Sequence, residues 1–358
     1  MKFNKKSLAI LLALGLAGCA NNVETENNTK REVETKEEVN NNDQSEKPEE
    51  KEEQIVEDKN QAHYDVNISM LKGPTSAGAI NMVDWSKNDD DQKFSFNESV
   101  EGAPDAVIPQ LVSGESDMAI IPPNLAATVY NKTEGKIKVL AINNLGVLYL
   151  VENADLNINS IEDLVNSGET IYTSAKGATP DLAINEVIKD AGFNESDVDI
   201  EYLAEASEVA QKMIAGEAKV ALLPEPMVTN VLMKSENAKV ALDINELYEK
   251  ETGNPLISAV LVARSDYLKD IDVPLLLETY KKSIEEANSN VDATAALLDK
   301  YDIMPEVVAK KALPKLALTY IDGEQMQTMI KNHLEYLYQS NPQLVGGSLP
   351  EDDFYYTK

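Results

Sequence analysis

Two stretches of this chain occur twice, in the same order and at nearly the same spacing. Residues 72–83, opening Lys72-Gly73-Pro74-Thr75, share Lys, Gly, Thr, Ala, Ile, Asn and Val with residues 176–187 at a shift of 104. Residues 111–122, with Gly114-Glu115 inside them, match residues 213–224, with Gly216-Glu217, at a shift of 102. Two copies are too few for a solenoid, where each repeat must bury its face against several neighbours. They predict two lobes of one architecture.

Each copy has the same local grammar. A strand-like run, Val66 to Leu71 or Ile171 to Thr173, leads into Lys-Gly, a loop signal. Thr75 and Thr179 then stand where a helix N-cap is expected, and Pro180 and Asp181 suit the first helical positions. Ile80 and Val83, and Ile184 and Val187, carry helical apolar spacing. Later, a helix ends at Gly114 or Gly216 and a short apolar strand follows, Met118 to Ile121 or Val220 to Leu223. The alternation predicts an α/β fold of two similar lobes, each a mixed sheet flanked by helices. Extended apolar stretches at 143–151 and 256–263 predict two crossings between lobes, a two-segment hinge. The expected division is 63–148 for the first part of lobe one, 149–256 for lobe two, and 257–358 for the return to lobe one with its extra C-terminal helices.

The N-terminus reads as an address. Lys2, Lys5 and Lys6 precede an apolar run from Leu8 to Leu16, too short to span a bilayer, which needs about 20 residues. It ends in Leu16-Ala17-Gly18-Cys19, and Cys19 is the only cysteine in the chain. Residues 1–18 are expected to be a signal peptide, with Cys19 lipidated after cleavage. Residues 20–62 carry 14 acidic and 6 basic side chains and almost no apolar periodicity, so 19–62 is expected to be a lipidated cysteine on a disordered acidic tether. Several acyl chains would hold the chain to the outer face of the cell membrane, an extracytoplasmic location.

Composition excludes several function classes. With 32 basic against 62 acidic residues, a net charge of −30, the chain cannot neutralise a run of phosphates, so nucleic acid is not expected as a partner. One cysteine permits no intramolecular disulfide, Cys-based zinc cluster or Cys-x-x-Cys redox pair. His63 and His333 lie far apart, and neither has a second ligand at metal-site spacing. No metal and no cofactor are expected, and no catalytic set of Ser, His and Asp is evident.

In open α/β sheets, ligands bind beyond the carboxyl ends of the strands, near helix N-termini. The paired turns Gly73-Pro74-Thr75 and Gly177-Ala178-Thr179 are therefore candidate ligand contacts, together with Pro123 and Asn124 after one short strand and Glu225 after the other. Glu205, at a helix start, and Tyr149, on the first crossing, are further candidates. A carboxylate at Glu225 suits an amine or a pyrimidine and repels nitrate or sulfonate. The residues thus lean toward a neutral or cationic ligand, one that an aromatic side chain could stack on.

Taken together, the Leu-Ala-Gly-Cys19 end of the leader, the acidic tether, Leu71-Lys72-Gly73-Pro74-Thr75, Gly114-Glu115 to Asn124, Ser160-Ile161-Glu162-Asp163-Leu164, Lys176-Gly177-Ala178-Thr179-Pro180 and Leu223-Pro224-Glu225-Pro226 resemble ABC-transporter solute-binding proteins. The most similar class is the nitrate/sulfonate/taurine group, which includes thiamine-precursor binders. The resemblance covers roughly Asp65 to Tyr356. It implies a type II periplasmic-binding-protein fold, a monomer, no catalysis, a small-molecule ligand, and an ABC permease with its ATPase as partner. It leaves open whether the ligand is an oxyanion, a sulfonate, a pyrimidine, a flavin or an amine. Two other readings stand beside it: a surface sensor that keeps the fold without transport, and an enzyme on the same fold from thiamine-precursor or menaquinone metabolism. The synthase would require a cysteine-rich motif that this chain lacks.

Overall fold

The short apolar runs of the two repeats form the buried centre of two separate sheets. The computed structural model describes residues 63–357 apart from 90, 91, 103, 154, 175, 177 and 178. The expected signal peptide, Cys19 and the expected tether, together with Gly177 and Ala178, lie outside the described residues.

The chain enters lobe one through β1 (Tyr64–Leu71), α1 (Ile80–Asn88), β2 (Phe94–Glu101), α2 (Pro104–Ser113), β3 (Met118–Ile121), α3 (Pro123–Thr133) and β4 (Ile137–Leu145). It crosses to lobe two for β5 (Leu148–Asn153), α4 (Ile161–Ser167), β6 (Ile171–Ser174), α5 (Thr179–Asp190), β7 (Ile200–Leu203), α6 (Ala206–Ala215), β8 (Val220–Pro224), α7 (Met227–Lys234), β9 (Ala238–Asp243) and α8 (Ile244–Thr252). It returns through β10 (Ile257–Arg264), α9 (Val273–Ser289), α10 (Val291–Lys300), α11 (Glu306–Ala312), β11 (Leu318–Ile321) and α12 (Gly323–Ser340).

Among the described residues, one sheet has the order β11-β4-β10-β3-β1-β2 and the other β7-β6-β8-β5-β9. Apart from the extra edge strand β11, the two orders are the same. β1 lies parallel to β2 and β3, as β6 lies parallel to β7 and β8. In each lobe the next strand is antiparallel and is the one that enters from the other lobe, β10 against β3 and β5 against β8. The duplication seen in the residues is thus a duplication of topology.

Period-two alternation divides each central strand between two cores. Met118 and Ile120 of β3 join one cluster with α1 and α9, while Ala119 and Ile121 join another with α3 and α12. In β8, Val220 and Leu222 face α5 and α8, while Ala221 and Leu223 face α6 and α7. Both faces are covered, so these strands read as unbroken apolar runs, as parallel strands do. Each fully buried aliphatic side chain contributes about 2 kcal/mol.

The repeated glycines close helices. Gly114 follows α2 with φ of +84°, and Gly216 follows α6 with φ of +74°, a left-handed end that side chains with a Cβ rarely adopt. At the other repeated turn the copies differ. Thr179 begins α5, but Thr75 caps nothing: it lies inside a single 3₁₀ turn, Pro74–Ser76, and α1 starts only at Ile80. The cause is the proline. Pro74 stands before Thr75, fixing the chain in the tight turn, whereas Pro180 stands after Thr179, where a helix accepts it.

Candidate ligand-binding cleft

The carboxyl ends of β3 and β8, the first turns of α3 and α5, and both interlobe crossings meet at one cleft of about 500 Å³. Lobe one supplies Pro122, Asn124 and Leu125, and lobe two supplies Thr179, Pro180 and Pro224. The crossings supply Gly146, Val147 and Leu148 on one side and Leu256, Ile257 and Ser258 on the other. None of the described residues lining it is ionisable.

The hinge is tightly made. Asn245, at the start of α8, accepts the Leu148 N–H at 3.0 Å and donates to the Leu148 carbonyl at 3.0 Å. Its own position is held by the Asp243 carboxylate, which caps α8. Beyond the hinge, contacts join the lobes on both flanks. The Tyr336 hydroxyl of α12 donates to Glu186 of α5 at 3.0 Å, and its ring meets Tyr248 edge-on at 5.6 Å. Asn332 donates to Asn254 at 2.8 Å. On the other flank, Lys315, just after α11, stands 3.8 Å from the Glu225 carboxylate ahead of α7.

The sequence candidates separate on this frame. Asn124 and Thr179 line the cleft, and Pro123 is buried as the first residue of α3. Gly73 holds φ of +107° ahead of the 3₁₀ turn, followed by Pro74; neither lines the cleft, nor does Thr75, whose hydroxyl is buried without a partner among the described residues. The Thr75 carbonyl accepts from Asn143 at 2.7 Å. Glu205 is exposed at the start of α6, where its carboxylate accepts from the Ser207 hydroxyl at 3.1 Å. Tyr149 is half-buried on the α6–α7 face of its sheet, and burial beside Asp243, Glu225 and Glu246 pushes its hydroxyl up to about 12. Residue spacing did not reveal that Leu125, Gly146, Leu256 and Ser258 join the lining, although both crossings were legible as extended apolar runs.

Glu225 has a different role from the one its position suggested. Its carboxylate is buried and accepts the Thr229 N–H and the Thr229 hydroxyl, each at 3.0 Å, so it fills the N-terminus of α7. Only its neighbour Pro224 lines the cleft. Burial raises its pKa, opposed by the Thr229 donors and Lys315. A raised carboxyl pKa means that the stabilising contribution is complete below the ordinary carboxylate range and is lost as pH rises through the raised value. Glu225→Ala, which leaves both Thr229 donors without an acceptor, is therefore expected to cost about 2 kcal/mol at the acid end of the range. The gap should narrow as pH rises. Urea unfolding across pH 4–8 checks this, and a gap that widened with pH would contradict the assignment.

Among the described residues no group of three potential metal ligands occurs, and no helix is long and apolar enough to cross a membrane. Solved structures share the fold. A crystal structure of an ABC transporter from Parabacteroides distasonis is 24% identical, with a TM-score of 0.70 over 82% of this chain and 99% of that one. The periplasmic aliphatic sulphonate binding protein SsuA from Escherichia coli is 15% identical, with a TM-score of 0.63 over 82% of this chain and 92% of that one. The periplasmic nitrate-binding protein NrtA from Synechocystis PCC 6803 is 11% identical, with a TM-score of 0.51 over 71% and 70%. Among curated proteins no sequence matches the chain. Residues 98–293, more than half of the chain, match the family model described as NMT1/THI5 like. With two lobes of one topology and a cleft at their hinge, the chain belongs to the NMT1/THI5-like family.

Proposed function

We propose that the chain is the extracytoplasmic solute-binding component of an ABC importer, tethered through a lipidated Cys19 and handing a small molecule to a permease. The observation that carries this reading is the single cleft shared by both lobes and both crossings. A solute seated there touches the two halves at once, so its binding energy biases an open–closed equilibrium. The closed form then presents to the permease a surface that the open form lacks. The described residues of the cleft include no nucleophile–base pair and no charged side chain, which suits capture rather than catalysis.

Asn124 and Thr179 are the proposed polar contacts, one from each lobe. A thermal-shift screen of small solutes tests the reading. A true ligand at about 100 times its Kd should add ~2.7 kcal/mol of stability. Asn124→Ala and Thr179→Ala are each expected to weaken that ligand about 10-fold, the value of one hydrogen bond. A ligand whose affinity survives both substitutions would place binding elsewhere. The lipid is checked separately: Cys19→Ala should release the chain from the membrane fraction without changing solute affinity.

A further inference from the structure

We infer that the cleft is built to refuse oxyanions and to hold an uncharged solute with a mainly apolar body and a few hydrogen-bonding groups at its rim. This rests on the solute-binding reading above and narrows it to a ligand class.

In this architecture an anion would be held by helix N-termini, whose first N–H groups are free and carry partial positive charge. Two helices, α3 and α5, begin at the cleft and α7 begins beside it, and each offers an anion fewer donors than an ordinary helix start. At α3 the cap is Pro122 and the first helical residue is Pro123, so two positions that would donate have no N–H. At α5, Pro180 stands in the first turn beside Asp181, a buried carboxylate that accepts from the Tyr202 hydroxyl at 2.5 Å and from Asn185 at 2.8 Å. An acidic side chain already stands in the first turn of that helix. At α7 the cap is Pro226, and the Glu225 carboxylate takes the Thr229 N–H. The Thr229 N–H at α7, and the Tyr202 and Asn185 donors beside α5, are thus already taken when a solute arrives.

The walls agree with the helix starts. Leu125, Val147, Leu148, Leu256 and Ile257 line the cleft, and among the described residues that line it no lysine, arginine or histidine supplies a countercharge. Nor does the cleft offer a carboxylate to a cation: Glu225 is turned toward Thr229 and Lys315, and Asp181 toward Tyr202 and Asn185. The polar side chains that remain are Asn124, Thr179 and Ser258, none hydrogen-bonded to another described residue. An amide and two hydroxyls recognise neutral donors and acceptors. The chain's net charge of −30 acts in the same direction at long range, lowering the local concentration of anions. The structural neighbours named for sulphonate and nitrate share the fold, but the fold does not choose the ligand; the side chains at the cleft do.

The test is a set of isosteric pairs differing only in charge, such as benzamide with benzoate and benzenesulfonamide with benzenesulfonate, extended to larger and to aliphatic amide–acid pairs. Nitrate and methanesulfonate are added as small anions. Each is titrated calorimetrically into the full chain in detergent at neutral pH, alongside Asn124→Leu and Thr179→Val variants whose solute-free thermal midpoints confirm folding. The expected result is saturable binding by uncharged members, at least 100-fold tighter than their anionic partners, and weakened at least 10-fold by one or both substitutions. An oxyanion that binds as tightly as its uncharged partner and is lost in the variants overturns this inference while leaving the solute-binding reading intact. Binding indifferent to both substitutions puts the solute outside this cleft and also overturns it. If no member of any pair binds, the solute-binding reading itself fails and takes the inference with it.

Discussion

Gly146→Ala is expected to destabilise the protein by about 2 kcal/mol and to weaken solute binding more than 10-fold. A Cβ at this position would stand 2.2 Å from the Asn245 side-chain oxygen and 2.8 Å from the Leu256 Cβ. Neither neighbour can yield without consequence. Asn245 bridges both polar groups of the Leu148 peptide and is itself fixed by Asp243, while Leu256 belongs to the second crossing. The methyl group would have to separate the two crossings or break the Asn245 bridge. Either change alters the angle between the lobes and hence the fit of a solute touching both. Urea unfolding and solute titration measure the two effects; an alanine variant equal to wild type in both would show that the crossings have room to move. Backbone strain is not the cause, since Gly146 is not among the positive-φ residues.

The second large effect concerns acid. His333 of α12 is buried, and neither ring nitrogen has a partner among the described residues. Burial lowers its pKa from 6.5 to about 4. The unfolded chain therefore takes up the proton first as pH falls. Stability that is complete above the unfolded value drains away between there and pH 4, by about 3 kcal/mol. His333→Leu, of similar size, cannot titrate and leaves no polar nitrogen unsatisfied. It is expected to be about 1 kcal/mol more stable than wild type at neutral pH, with the advantage growing steeply toward pH 4. Thermal midpoints of both proteins over that range decide the matter. Curves that stayed parallel would mean that another group carries the acid sensitivity.

The residues disclosed the architecture more fully than the site. A repeat carries topology because strand, turn and helix each leave a local mark, and two copies with the same marks must pair their strands in the same way. Both crossings read as extended apolar runs, and the structure adds that β5 and β10 within them run antiparallel to their neighbours. What a repeat cannot convey is where it has diverged. The shift of one proline, from before the threonine at Pro74 to after it at Pro180, separates a 3₁₀ turn from a helix start while the aligned letters still match. Glu225 was legible as a polar residue at a strand end, but its direction depends on Thr229, four residues later, and on Lys315, which comes from the other lobe. Side-chain direction at a strand end is a tertiary property, and spacing along the chain does not report it. The apolar character of the cleft was hidden for the same reason: its walls come from both lobes and both crossings.

The position of β10 governs the order in which the molecule can assemble. This strand lies between β3 and β4, so lobe one has a vacant central slot until residues 257–264 have been made. The strands of lobe two are contiguous in the chain and can pair as soon as they emerge, before the lobe that precedes them in sequence is complete. Until then β3 and β4 each offer an unpaired edge of the kind that recruits strands from other chains. The unfinished half is thus exposed for as long as it takes to produce more than a hundred further residues, and it is the half whose closure depends on the most distant contacts, the slowest kind to form.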